Sequence, residues 1–252
     1  MTDSFLLAGQ LQSTSHMERR RFLQLSAAAL VPQQKPPTES VTATATQDRT
    51  PRVGVVLSEG PTWDARLRKA IELGTTRAGG LPSMVAAEDW VVIQTGDGVD
   101  RRLVEAVQGF LKERGLGKRF TVVGRAELAA ADAQEMPVPG GERVCRIPKM
   151  ILQCDRLLRV GPLTAVRPEL PAQELVDRMS FHPPDYTIFG GHNLIVAGAD
   201  PLAVESVAAQ ILGLDPEKLP HLRLAGDRGL GVWGPGAIWV RGNAVEEVRN
   251  RR

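Results

Sequence analysis

His182, Asp185 and His192 stand close together around one apolar run, Tyr186 to Phe189. Two imidazoles and a carboxylate form a donor set for a metal ion, but their spacing matches no familiar site. His182 precedes Pro183-Pro184 and reads as a loop residue, so no metal centre is expected. Cys145 and Cys154 are the two cysteines of the chain. An all-cysteine iron–sulfur cluster needs four thiolates, which this chain alone does not have. No histidine flanks the pair to complete a zinc site. Cys145 falls in a strand-like run and Cys154 at the end of a short helical one, so two separate buried thiols are expected rather than a disulfide. Gly229-Leu230-Gly231-Val232-Trp233-Gly234 fits GxGxxG, but a dinucleotide site needs that pattern after a strand and opening a helix. Here it follows helical Leu222 to Arg228 and runs into Pro235-Gly236, which is the signature of a helix end and a turn. Gly115-Leu116-Gly117-Lys118-Arg119 lacks the first glycine and the hydroxyl of a P-loop. No GxSxG element or Cys/His spacing marks a nucleophile, and the cofactor is left unassigned. His192, Asn193, Asp200, Glu205 and Asp227 form the candidate ligand-binding set. They fall at strand ends, helix starts and loops, where open α/β sheets bind ligands. Each also has a simpler use as a cap or a solvated charge.

The elements that must position them alternate. Arg52 to Leu57, Trp90 to Ile93, Phe120 to Val123, Val144 to Ile147, Leu157 to Val160, Tyr186 to Phe189 and Leu194 to Ala197 read as strands. Between them, Pro61 to Leu73 closes on Gly74, and Arg101 to Arg114 closes on Gly115 with Leu103, Val104, Val107 and Leu111 on one face. A short helix spans Pro148 to Cys154, and another lies near Leu175. With aromatic residues at only 4%, the core must be aliphatic, which favours layered α/β over an aromatic-rich sandwich. The expectation is an α/β fold, a mostly parallel or mixed sheet with helices packed on its faces.

From Asp200 to Leu222 the chain reads DPLAVESVAAQILGLDPEKLPHL. The Asp200 carboxylate suits an N-cap, and Pro201 at the first helical position has its φ preset. Val204, Val207, Ala208, Ile211 and Leu212 make one apolar face before Gly213 stops the helix. Asp215-Pro216 repeats the cap-and-proline device.

The N-terminus reads as an address. Arg19-Arg20, one further residue and then Phe22-Leu23 resemble a twin-arginine export signal, followed by a short uncharged stretch too brief to span a bilayer. Residues 1–31 are read as this signal-like segment, with 1–16 an over-extended start before Met17. Residues 32–51, rich in Pro, Thr, Gln and Ser, cannot bury enough surface to order themselves and read as a disordered linker. Residues 52–252 are the α/β domain. The chain holds 31 basic and 29 acidic residues; 1–52 carry six and four of them, so the body balances at 25 against 25. Without a basic surface, no nucleic acid is expected as partner. The expected partners are the twin-arginine export machinery and an envelope or redox protein, in a periplasmic or membrane-associated location outside the cytoplasm.

NLIVAGADPLAVESVAAQILGLDPEKLPHL followed by Gly229-Leu230-Gly231 resembles the C-terminal signature of the bacterial and archaeal domain of unknown function family 362. Weaker similarity covers Val53 to Gly124 and Arg143 to Gly161. The resemblance implies an α/β fold and a link to iron–sulfur chemistry through ferredoxin-like fusions, which this chain lacks. It departs where the family shows a Lys-Pro-Asn turn, here Gln94-Thr95-Gly96, and where a Lys-Thr-His element follows the strand ending near Val160, here Pro162-Leu163-Thr164-Ala165. The acidic residue of the signature, commonly Asp, is Glu205. Loss of the lysines with retention of the packing residues suits a degenerate member acting as a binding or accessory module. The alternative is an enzyme of undefined reaction using the acidic and histidine residues near the signature.

Overall fold

The computed structural model describes residues 50–57, 62–74, 80–139, 142–166, 170–191 and 193–251. Arg19, Arg20, Phe22, Leu23 and the linker up to residue 49 lie outside the described residues. Contacts divide the chain into Met1–Thr46 and Gln47–Arg252, and the described residues all belong to the second unit.

Its centre is a seven-stranded sheet in the order β3-β2-β6-β7-β8-β1-β9. The strands are β1 (Arg52–Leu57), β2 (Trp90–Thr95), β3 (Arg119–Val123), β6 (Arg156–Pro162), β7 (Tyr186–Gly191), β8 (Leu194–Gly198) and β9 (Trp239–Gly242). Six run the same way. β8 alone is reversed, antiparallel to both β7 and β1, because only a two-residue turn separates it from β7. The mixed, mostly parallel α/β architecture expected from the alternation is the one observed.

One face carries α1 (Trp63–Leu73), α2 (Leu81–Met84) and α3 (Arg101–Lys112), packed through Leu67, Leu103, Val107 and Leu111 on Val91, Ile93, Leu158 and Ile188. The other face carries α4 (Arg125–Ala130), α5 (Lys149–Gln153), α6 (Ala172–Met179), α7 (Pro201–Ile211), α8 (Pro220–Asp227) and α9 (Val245–Asn250). Burying both faces explains why β2, β7 and β8 are near-continuous apolar runs.

Three expectations need correction. Val144–Pro148 (β5) does not join the main sheet; it pairs antiparallel with β4 (Ala133–Pro137) in a separate ribbon. Its burial alternates, Val144 and Arg146 exposed against Cys145 and Ile147 buried, as a one-faced strand must. Secondly, α7 has no solvated face. Every residue from Pro201 to Ala209 is buried, because α7 is covered by the sheet on one side and by α8 and α9 on the others. Thirdly, β9 and α9 follow the signature region, where four residues including an arginine gave no strand-like run.

The caps behave as read. Asp200 accepts the Ala203 N–H at 3.0 Å, Asp215 accepts that of Glu217 at 3.0 Å, and Gly213 takes φ +75° just past α7. Cys145 and Cys154 are buried and form no disulfide. Burial pushes the Cys154 thiol up to about 12 and raises that of Cys145, which disfavours the reactive thiolate at both.

Candidate functional site

Strands β2 and β6 are neighbours and parallel, yet the chain leaves them in opposite directions. After β2 it passes through α3 on one face to the edge strand β3. After β6 it passes through α6 on the other face to β7. Diverging connections open a crevice at the carboxyl ends of the two strands, the position where open α/β sheets bind ligands.

A groove of about 380 Å³ lies there. Gln94, Thr95 and Gly96 from the end of β2 and Arg159 and Pro162 from β6 form its base. Arg125 and Leu128 of α4 line one wall, and Leu175 and Arg178 of α6 the other. Apolar side chains and three guanidinium groups therefore share one concave surface.

The floor is unusual for a parallel sheet. Gln94 pairs with Arg159, and Arg159 with Thr187, across β2, β6 and β7. Alternation puts this polar row on the face opposite Leu158, Val160 and Ile188. Arg159 is held by a buried carboxylate: its Nη1 donates to Glu205 Oε1 of α7, and its guanidinium lies 5.2 Å from the Phe189 ring. The second carboxylate oxygen, Oε2, bonds His221 Nε2 at 2.8 Å. Glu205 and His221 are 1% and 2% exposed, which rules out the solvated role for Glu205. With Glu205 ionised, His221 must carry its proton on Nε2 to donate.

Burial works against the Glu205 charge, but the Arg159 guanidinium and the His221 bond outweigh it and hold the carboxyl below its ordinary value. Asp185, which accepts the Leu157 N–H at 2.9 Å, is likewise held low against its burial by His182, that N–H and Arg156. The sign of their effect on stability follows. A carboxyl whose value is lowered by folding contributes fully above its unfolded value of about 4 and loses that contribution as pH falls through its folded value. Stability in urea is expected to decline below about pH 4. The paired Arg159→Gln, Glu205→Gln variant should show a shallower acid limb than wild type. Equal slopes would remove Glu205 from that account.

Asp200 has the opposite sign, because burial raises its carboxyl value despite bonds from backbone N–H groups. One oxygen caps α7 and the other accepts the Val232 N–H at 2.9 Å, latching the Gly229–Gly231 turn to the helix start. Asp200→Asn retains an acceptor for the cap but turns an NH₂ toward a second donor. It is expected to cost about 1–2 kcal/mol in urea unfolding. An unchanged midpoint would mean that the latch contributes nothing.

Of the five residues singled out in the sequence, the four among the described residues are not gathered around one cavity. Asp200 is cap and latch, Glu205 is the buried partner of Arg159, and Asp227 is exposed at the end of α8. Asn193 sits in the β7–β8 turn beside a shallow surface that includes Trp63 and Arg66, and His192 lies outside the described residues. Glu205 alone reaches the groove, through Arg159. His182 approaches Asp185 at 3.7 Å, and among the described residues no group of three or more His, Cys, Asp or Glu could hold a metal ion. No helix among the described residues is long and apolar enough to cross a membrane.

Sequence reasoning missed Arg159, Arg178 and His221. A signal existed for the first: an arginine inside Leu157-Leu158-Arg159-Val160 interrupts a buried strand and demands a buried partner. It also missed Asp177, which is buried and accepts from Arg143 at 2.9 Å and from Arg228 at 2.7 Å, tying the β4–β5 ribbon to α6 and α8. No family model matches the chain, and no curated protein or solved structure matches it.

Proposed function

We propose that this chain is a binding or accessory module of the cell envelope that takes a small ligand in the groove between the carboxyl ends of β2 and β6. One observation carries the reading: the groove sits at the point where the connections from two parallel strands diverge, and it combines an apolar wall with directed donors. The enzyme alternative called for the acidic and histidine residues to converge in a concave site. Those among the described residues are dispersed, and Asp97, an exposed residue, is the one carboxylate among the described residues that lines the groove. Export through the twin-arginine machinery, with an envelope or redox partner, rests on Arg19, Arg20, Phe22 and Leu23. Membership of family 362, as a divergent member, rests on the Asn193–Gly231 signature.

The test is native mass spectrometry of protein purified from its own envelope fraction, beside a Leu175→Trp variant that fills the groove. A bound small molecule in wild type and its loss in the variant are expected. Retention of the molecule by the filled variant would move the site elsewhere, and a bare, monomeric wild-type chain would count against the whole reading. Arg19→Lys with Arg20→Lys should hold the protein in the cytoplasmic fraction; unaltered export would remove the signal assignment.

A further inference from the structure

We infer that the groove selects an amphiphilic anion, a carboxylate or phosphate head on an apolar body, with Arg178 and Arg159 meeting the head. This rests on the groove being a ligand site and names the class of ligand. Three guanidinium groups, Arg125, Arg159 and Arg178, reach the groove from three different elements, α4, β6 and α6. Distant parts of the chain have thus brought one functional group to one place.

The groove is not a simple positive field. Arg159 is balanced by Glu205, Arg178 Nη2 donates to Glu174 Oε1 at 2.7 Å, and Arg125 lies 3.9 Å from Asp97. Selectivity must come from directed N–H groups. Arg178 supplies the specific evidence: its Nε–H is buried and has no acceptor, although its outer nitrogen is paired. A buried donor without an acceptor costs about 1–3 kcal/mol, which a ligand oxygen would recover. The Thr187 hydroxyl, beside Arg159 in register, is also buried without a partner. Arg178 shares the groove lining with Arg159, whose guanidinium is held by Glu205 and lies against the Phe189 ring.

An arginine fork matches the planar carboxylate edge and the phosphate face, and the donor-only Arg178 Nε–H offers nothing to an ammonium head. Leu128, Pro162, Leu170 and Leu175 give the groove an apolar wall beside these polar groups. A volume of about 380 Å³ is at the small end of ligand sites, suited to a short chain or single ring rather than a nucleotide.

The experiment is titration calorimetry on the full chain with four probes that share one tail: octanoate, octyl phosphate, octan-1-ol and octylamine. Octanoate or octyl phosphate is expected to bind at least about tenfold more tightly than the alcohol, and octylamine not at all. The stronger of the two anions assigns the head as carboxylate or phosphate. Arg178 is half-exposed, so Arg178→Gln should fold; it is expected to weaken the anions about tenfold while leaving the alcohol unchanged. Arg178→Lys should restore more binding to the phosphate than to the carboxylate, because lysine keeps the charge and loses the fork. Equal affinity for alcohol and anions overturns the anionic assignment and leaves the groove as an apolar site. Preference for the amine overturns it too, as does silence from all four probes in protein stripped of its groove-bound native molecule. A native molecule that survives groove filling defeats the underlying site reading instead.

Discussion

Replacing Glu205 with alanine is expected to destabilise the fold by about 3–5 kcal/mol, a large share of the roughly 5–15 kcal/mol that holds a domain of this kind together. The size comes from what remains rather than from what is lost. Glu205 is 1% exposed and accepts from the Arg159 guanidinium and His221, so its removal takes this buried carboxylate from a part-buried cation and a buried imidazole. A cavity argument alone predicts a smaller loss and predicts that Glu205→Gln, which keeps the volume, is mild. If charge dominates, Glu205→Gln is also costly, because the Arg159 cation loses its buried carboxylate. Charge dominance further predicts that Arg159→Met combined with Glu205→Leu costs less than Glu205→Ala, since a buried pair replaced by apolar groups of similar size is often neutral. Urea midpoints of these proteins, together with Arg159→Met and Glu205→Leu made singly, decide the matter. Additive losses at positions 159 and 205 would sink the pair as a unit.

Gly54→Ala is the second large effect, about 3 kcal/mol. β1 lies between β8 and β9, and α1 crosses it so closely that a Cβ on Gly54 would overlap the Ala70 carbonyl and come within 2.9 Å of the Gly74 nitrogen. Those are backbone atoms, so no side chain can swing aside. The strand cannot withdraw either, because Gly54 is in register with Ala197 on one side and Arg241 on the other. Relief requires α1 to move off the sheet as a body, which opens the contacts of Leu67, Ala70 and Ile71. Thermal unfolding measures it, and a shift of under a degree would show that α1 has more freedom than its packing implies.

The two sites also show what could be read in advance. The central strands of the main sheet were visible because strands buried on both faces keep apolar runs whatever their neighbours do, and the edge strand β3 was visible from its own Phe120-Thr121-Val122-Val123 run, whereas the edge strand β9 was not. The same holds for Asp200, Pro201 and Gly213, whose cap and stop act within a few residues of themselves. β4 and β5 were harder. One-faced strands rely on their partner for their hydrogen bonds, and the partner is named only by pairing.

Local chemistry thus determined the element types, the helix boundaries around Asp200 and the neutral, aliphatic α/β body. It also limited the cofactors, since two cysteines are too few for an all-cysteine cluster. Tertiary structure decided the site. Arg159 and Glu205 are 46 residues apart, and nothing short of strand order and the seating of α7 on the sheet makes them partners. Strand order likewise made β2 and β6 neighbours with diverging connections, and so placed a groove where Gln94, Arg125, Arg159 and Arg178 meet. The physical reason is range. Caps, turns and apolar periodicity are settled by neighbours along the chain, whereas burial of a charge is settled by whichever distant group arrives to neutralise it.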